Sequence, residues 1–264
     1  LFWLGERRAE LYGKVRKWGS IGFIVGVFSI GALLEIVDIS MLPIMLLCIA
    51  FTAFLWSFTV KEPQDAPQSQ KQLEALLPVL KRPVVSAFFC IEFVMLFAQA
   101  PFYSFYSNYL KANGFSTTSI GFLWSVGVIA EIIMFAYATF FLKKLSWRVL
   151  VSICLLMTGL RFIIAGSFPN SFSAQFLSQT MHAFSFGLFH MIAMRIIFQN
   201  FTAGQQGRGQ ALYSTMWGLG VASGSLLAGH YWQSLGGEMI FILAGCSVIF
   251  GLLLVKALPS KVQL

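Results

Sequence analysis

The sequence predicts an all-α, polytopic transmembrane protein, and three observations lead to this prediction. Of the 264 residues, 58% are hydrophobic and only 11% are charged, against about 45–50% and about 25% in soluble domains. The apolar residues form runs long enough to cross a bilayer, which takes about 20 residues per helix. These runs are continuous and lack the alternation typical of membrane β-barrels. A soluble two-domain protein is therefore excluded.

About eight transmembrane helices follow one another along the chain. The predicted spans are 19–37, 41–60, 84–108, 118–142, 147–168, 172–198, 211–233 and 239–258. Gly and Pro within these spans are compatible with membrane helices, because neighbouring helices can satisfy the freed backbone groups. The charged segment 1–18 lacks the order of charge, apolar block and cleavage site of a signal peptide.

The basic residues lie on alternate sides of the predicted spans. They occur in 1–18, between the second and third spans, between the fourth and fifth, after the sixth, and near the end of the chain. The remaining connections contain one basic residue, Lys111. Because positive residues stay in the cytoplasm, we expect segment 1–18 and tail 259–264 on the cytoplasmic side of a bacterial inner membrane. The distribution of the basic residues behind the net charge of +8 is thus explained by orientation in the lipid bilayer. No nucleic-acid partner is expected.

One connection differs from the others in composition. The stretch KEPQDAPQSQKQLEALLPVLKRP (61–83) is polar and rich in Pro and Gln. It separates two spans (19–60) from six (84–258). We interpret 61–83 as a cytoplasmic central loop that follows an incomplete N-terminal half and precedes a complete C-terminal six-helix half.

The spans contain a weak internal repeat. Its copies are LWSVGVIAEI (123–132), MWGLGVASGS (216–225) and, more loosely, KWGSIGFIVG (17–26). Gly220 and Gly224 form a pair of small residues one turn apart, which lets helix backbones approach closely. In the first copy, Glu131 stands where the second small residue would be. A charge on a face otherwise used for close packing requires an explanation, either functional or structural.

Three stretches resemble a known family of transporters. They are YGKVRKWGSIGF (12–23), GFLWSVGVIAEIIMFA (121–136) and HAFSFGLFHMIAMR (182–195). They are similar to signature stretches of the 3-phenylpropionic acid transporter group of the major facilitator superfamily, near the nucleoside–proton and lactose–proton symporters. The resemblance implies a fold of twelve helices built as two six-helix halves, of which this chain corresponds to helices 5–12.

The resemblance also implies a function, secondary active transport. We expect a proton symporter for a small-molecule substrate, such as an aromatic carboxylate like phenylpropionate. A nucleoside or sugar importer of the same fold is the alternative, as is a truncated fragment that does not transport. The chain is expected to function only with the missing N-terminal helices.

Few ionisable residues lie within the spans, where a charge costs about 2.5–3.5 kcal/mol. At about 1.5 Å per residue, the depths of Glu131, Arg161 and His182 place them in one slab of the membrane. We predict a proton-coupling cluster in which Glu131 loads and releases a proton, Arg161 favours the charged carboxylate, and His182 relays the proton or binds substrate. A structural ion pair with a hydrogen-bonded core histidine is the alternative.

The resemblance to the lactose–proton symporter implies the same roles for Arg161 and His182. The acid that the symporter carries one turn beyond its histidine is absent here, where Ser185 stands.

Four further residues are predicted to contact the substrate. Gln99 and Tyr103 lie near Pro101 in the third span, where amide and aromatic groups suit an aromatic acid or a nucleoside. An interfacial aromatic belt explains the tyrosine equally well. Trp124 belongs to the repeat, and His190 lies about 80° further round the helix than His182, so it can share the cavity wall.

Nothing in the sequence indicates an enzyme, a cofactor or a metal site. The histidines at 182 and 190 lack the spacing of four residues that brings two ligands to one metal ion. No GxSxG motif or phosphate-binding loop occurs. We therefore expect no catalytic residues.

Overall fold

The structure is a computed structural model, and it describes residues 18–19, 21–26, 29–30, 33, 36–59, 76–202 and 204–260. Every element in this part of the chain is helical, which confirms the all-α class. The chain divides into two compact units, 1–70 and 71–264. Segment 1–17, most of the predicted central loop and the last four residues lie outside the described residues.

Among the described residues of the first unit, the longest element is an apolar helix. A 3-10 turn at Ile39–Met41 leads into α1 (Leu42–Ser57), which has a proline in its first turn and no buried side chain. The helix agrees with the predicted span 41–60, whereas the predicted span 19–37 is described only in part. Close packing at the Gly22 and Gly26 pair is not seen in the described part of this unit, since a Cβ there would meet nothing within 4 Å.

The second unit begins with the short helix α2 (Leu76–Leu80) and continues with long helices. These are α3 (Pro83–Ala112), α4 (Thr117–Lys144), α5 (Trp147–Ser167), the helix formed by residues 172–200, and α8 (Gln206–Leu254). All five are apolar and long enough to cross a membrane.

Helix α8 is two membrane helices rather than one. Its 49 residues would measure over 70 Å as one straight helix, more than twice the thickness of a bilayer core. Gly236 interrupts it with φ 77° and ψ 157°, a conformation that glycine adopts without steric cost. We call the two parts α8a (206–235) and α8b (237–254). They correspond to the separate predicted spans 211–233 and 239–258.

The long helices start at serine caps after short turns. The Oγ atoms of Ser116, Ser146 and Ser171 accept from the backbone N–H groups three residues further on, at 3.2, 3.4 and 3.3 Å. Such caps satisfy backbone donors that have no partner in the first turn. Gly114, with φ 84°, lies in the turn between the end of α3 and the cap residue Ser116. Short connections make successive helices antiparallel.

Glycines set the closest helix approaches. A Cβ at Gly220 would lie 2.8 Å from the carbonyl oxygen of Phe93, and one at Gly224 would lie 2.5 Å from that of Phe97. The residue numbers rise together, so α8a runs parallel to α3. The predicted close approach at Gly220 and Gly224 is confirmed. Helix α8b packs against α5 and runs antiparallel to it. A Cβ at Gly251 would meet Leu155, and one at Gly245 would lie 2.6 Å from the carbonyl oxygen of Gly159.

The helix formed by residues 172–200 is irregular in its middle. It consists of α6 (Phe172–Thr180), a π-helical segment (Ala183–Leu188) and α7 (Phe189–Asn200). The N–H of Phe189 bonds to the carbonyl of Phe184, five residues back. Such wider turns are frequent at functional sites. The regular helix predicted over 172–198 is therefore corrected to a helix with a π-helical turn.

Substituting Gly224 tests the packing of α8a on α3. We expect Gly224→Ala to lower the stability of the protein in detergent by about 1–3 kcal/mol, as overpacking does. A Cβ there would also lie 2.6 Å from the Cβ of Ala100. Gly218→Ala is the matched control on the same helix, because a Cβ at Gly218 meets nothing within 4 Å. Thermal unfolding should separate the two variants, and equal melting temperatures would contradict the packing.

Candidate functional site

Four polar side chains meet in the interior of the second unit. Glu131 comes from α4 and Arg161 from α5, while His182 precedes the π-helical segment and Ser185 lies within it. Their exposed fractions are 7%, 0%, 7% and 1% respectively. The structure thus brings together the three residues predicted to form the proton-coupling cluster, and it adds Ser185. We call these four residues the polar cluster.

His182 occupies the centre of the polar cluster. Arg161 Nη1 lies 2.7 Å from His182 Nδ1 and donates to Ser185 Oγ, also at 2.7 Å. A guanidinium can only donate, so Nδ1 accepts and the imidazole proton is on Nε2. That nitrogen lies 3.9 Å from Glu131 Oε2. A neutral His182 therefore stands between the acid and the arginine.

One side of the Arg161 guanidinium lacks polar partners. Its Nε and Nη2 atoms are buried and make no hydrogen bond to any described residue. Its Cζ atom lies 4.4 Å from the ring centre of Phe102 and 4.8 Å from that of Phe162. Contact with ring faces stabilises the charge in part. The Nε and Nη2 groups point the same way, and this is the arrangement that binds a carboxylate through two parallel hydrogen bonds.

The approach of α4 to α6 depends on Gly127. A Cβ at this position would lie 2.7 Å from Gln179 Oε1 and 3.7 Å from His182 Cδ2. Glu131 follows one turn later, so the missing side chain at Gly127 brings the carboxyl beside His182. The amide atoms of Gln179 are buried and have no hydrogen-bond partner in the described part of the chain. Gln179 is thus a further polar residue of the site, one turn before His182.

Gln99 and Tyr103 lie beside the polar cluster, on α3. Gln99 is 1% exposed, and its Nε2 donates to the backbone carbonyl of Ser185 at 3.1 Å. The hydroxyl of Tyr103 lies 3.5 Å from Gln99 Oε1. Trp124 donates from Nε1 to Ser107 Oγ at 3.0 Å. Gln99 therefore holds α3 against the π-helical segment, and Tyr103 is the polar side chain one turn further along α3.

Aromatic rings surround the polar cluster. The Trp124 and Phe102 ring centres are 4.6 Å apart, and Phe102 lies 5.5 Å from the His182 ring. Phe186 lies 5.5 Å from Trp217, which lies 5.9 Å from Tyr103. The polar groups therefore lie within a wall of rings, to which α3, α4, α5, α8a and the π-helical segment all contribute.

His190 is part of the same ring system. The rings of His182, Phe186 and His190 are stacked, with centres 5.6 and 5.8 Å apart and planes within 13° and 5°. The predicted offset of about 80° assumed a regular α-helix, and the wider π-helical turn instead aligns residues four apart. His190 Nδ1 lies 2.9 Å from the hydroxyl of Tyr213.

Three members of this site, Ser185, Gln179 and Phe102, were assigned no role from the sequence. Ser185 was visible as a polar residue one turn after His182, and Gln179 as an amide one turn before it. Their spacing of three residues from the histidine was a usable signal. No comparable signal identified Phe102, because its contact with Arg161 depends on how α3 packs against α5.

Comparisons with known proteins agree on a transporter family. The family model described as "MFS_1 like family" matches residues 1–243. The "Probable 3-phenylpropionic acid transporter" of Escherichia coli (strain K12) is 30% identical over 259 residues, which cover 94% of this chain and 66% of that relative. The "Uncharacterized transporter YwbF" of Bacillus subtilis (strain 168) is 29% identical over 140 residues, which cover 51% of this chain and 34% of that relative. No solved structure matches significantly. The chain thus spans just under two thirds of the E. coli relative's length.

Proposed function

Because the chain belongs to the MFS_1-like family of the major facilitator superfamily, we propose that it is the proton-coupling part of a symporter for a small aromatic carboxylate. The name of the E. coli relative refers to such an acid. The full-length transporter would include four helices before this segment, as the family resemblance implies, and these helices would complete the substrate cavity. Transport must therefore be measured on that full-length form.

The free side of Arg161 is the observation that carries the proposal. Two parallel N–H groups, Nε and Nη2, have no partner among the described residues and match the two oxygens of a carboxylate. The rings of Phe102 and Phe162 lie against the same guanidinium, so an aromatic ring attached to that carboxylate would find apolar neighbours. A neutral sugar or nucleoside would leave those two donors without an anionic partner.

Charge balance explains why a proton would accompany the substrate. With Glu131 ionised and His182 neutral, the positive charge of Arg161 is balanced within the polar cluster. A bound carboxylate adds one negative charge, and one proton on Glu131 or His182 restores neutrality. Moving a net charge through a low-dielectric interior is costly. The transporter therefore changes conformation more easily when the cluster is empty, or holds both substrate and proton, than when it holds substrate alone.

His182 couples substrate binding to proton binding in this proposal. A carboxylate that draws Arg161 towards itself weakens the 2.7 Å contact with His182 Nδ1. That nitrogen can then accept a proton, and the resulting imidazolium lies beside Glu131. Substrate binding thereby favours proton binding within the same cluster, and both are released on the inner side of the membrane.

Transport in proteoliposomes tests the proposal. With the outside acidic, uptake of labelled 3-phenylpropionate should exceed that into protein-free liposomes, which report passive diffusion of the acid. Unlabelled 3-phenylpropionate should compete, whereas 3-phenylpropionamide, uridine and lactose should not. Uptake that is independent of the pH gradient, or competition by the nucleoside or sugar alone, would reject the proton-coupled carboxylate function.

We also propose that the transporter lies in the bacterial inner membrane with its C-terminus in the cytoplasm. The lysines at the end of α4 support this orientation through the positive-inside rule. In a background without native cysteines, Asn170→Cys should react with an impermeant reagent from outside, and Lys144→Cys only after permeabilisation. Both positions are exposed. The opposite labelling pattern would reverse the orientation.

A further inference from the structure

Glu92 is a buried acid outside the polar cluster. It is 0% exposed, and neither carboxyl oxygen has a hydrogen-bond partner among the residues that the structure describes. Phe88, Ile91 and Met95, on the same helix, are also fully buried. An ionised carboxylate without a partner is unstable in apolar surroundings. The geometry therefore indicates that Glu92 holds a proton in this conformation.

The position of Glu92 on α3 relates it to the polar cluster. Phe88, one turn before it, stacks on Phe189 with ring centres 5.8 Å apart. Gln99, two turns after it, donates to the carbonyl of Ser185. At about 100° per residue these three residues fall within about 40° of one helix face. Glu92 thus faces the helix 172–200, about 10 Å along α3 from Gln99.

A hydroxyl group lies between the level of Glu92 and that of Arg161. Thr158, on α5, is fully buried and lies one turn before Arg161. Its Oγ1 lies 3.2 Å from the sulfur of Met95 and donates to the carbonyl of Cys154 at 2.8 Å. Met95 is one turn after Glu92 on α3. The interior between the acid and the polar cluster therefore contains a group that can both donate and accept a hydrogen bond.

Other titratable groups on the packed helices do not pair with Glu92. Those nearest the interior are Cys154 and Arg161 on α5, Glu131 on α4, His182, His190 and Arg195 on the helix 172–200, and Tyr213 on α8a. In the described part of the chain, neither oxygen of Glu92 bonds to any of these groups. Ionisation of Glu92 therefore requires a change of surroundings, which a movement of the helix would bring about.

The structure of α3 permits such a movement. Pro101 lies inside the helix and has no N–H to donate to the carbonyl of Phe97. Proline is a common site of helix bending. Glu92 lies on the first part of α3, and Tyr103 lies on the part after the proline. The first part, together with α8a that packs against it at Phe93 and Phe97, can therefore change its tilt while Phe102, after the proline, stays against Arg161.

We propose that Glu92 is a second proton-binding site, which receives a proton from the polar cluster and releases it to the cytoplasm. It is protonated in the conformation described and ionises when movement of the first part of α3 admits water. In each cycle Glu92 first releases its proton to the cytoplasm, and the single proton that leaves the Glu131–His182 pair then replaces it. This role rests on the proposed symport, whereas the protonation of Glu92 does not.

Infrared difference spectroscopy tests the protonation directly. The C=O stretch of a protonated acid should appear in the spectrum of the wild-type transporter minus that of Glu92→Gln. It should diminish when 3-phenylpropionate is added together with a more alkaline internal pH. Glu131→Gln serves as the control and should retain the Glu92 band. Absence of the band, or a band that responds to neither condition, would overturn the proposal.

Transport by the same variants tests the role. Glu92→Gln and Glu92→Met should lose accumulation driven by a pH gradient and retain exchange of 3-phenylpropionate, whereas Met95→Leu should retain both. Normal accumulation by Glu92→Gln, with a wild type that is proton-driven, would reject Glu92 and leave the symport standing. A wild type that ignores the pH gradient would reject the symport instead, and the infrared band alone would then decide whether Glu92 binds a proton.

Discussion

Glu131→Gln should abolish proton-driven accumulation of 3-phenylpropionate by the full-length transporter and leave exchange largely intact. The amide has the shape of the protonated acid but cannot release a proton. Accumulation requires release on the inner side, whereas exchange requires only that the loaded site changes conformation. Accumulation and exchange should be measured on the same proteoliposomes. Normal accumulation by the variant would eliminate Glu131 as a coupling residue.

A purely structural role for Glu131 predicts a different result. Without its negative charge, Arg161 would be the one formal charge of the polar cluster. Removing one partner of a buried charge pair costs about 3–5 kcal/mol, so the amount of folded protein in the membrane should fall sharply. Membrane abundance must therefore be measured beside transport. Glu238→Gln, at an exposed acid near the start of α8b, is the control and should change neither quantity.

Arg161→Lys should weaken binding of 3-phenylpropionate by about 10- to 100-fold, which corresponds to the loss of one charged hydrogen bond. Lysine keeps the positive charge that balances Glu131, but its ammonium lacks the planar pair of donors that fits a carboxylate. Binding should be followed by the concentration dependence of thermal stabilisation. Folding should survive, because the charge balance is retained.

Two comparisons make the Arg161 result specific. Arg195→Lys changes an arginine whose Nη1 donates to the carbonyl of Leu142 on α4, outside the polar cluster, and it should leave binding unchanged. Competition by 3-phenylpropionamide should stay negligible in all variants. Binding of 3-phenylpropionate to Arg161→Lys with wild-type affinity would show that the carboxylate does not use Nε and Nη2. The proposed substrate site would then be wrong.

Properties of single helices were accessible from the sequence. The length and continuity of the apolar runs determined the all-α membrane class. The interruption between spans 211–233 and 239–258 was also accessible, and it corresponds to Gly236 with its positive φ. The shared depth of Glu131, Arg161 and His182 followed from counting residues along three helices. Each of these properties depends on the position of a residue along the axis of its own helix, and residue numbers give that position directly.

Contacts across helices were decided by the tertiary structure. Gly127 lets α4 approach α6, and this approach places Glu131 beside His182. The π-helical turn after His182 rotates the following residues and stacks His190 into the same column of rings. The packing of α3 on α5 sets Phe102 against Arg161. The physical reason is that hydropathy constrains the depth of a residue in the membrane, whereas the rotation of each helix about its axis is selected by its packing partners.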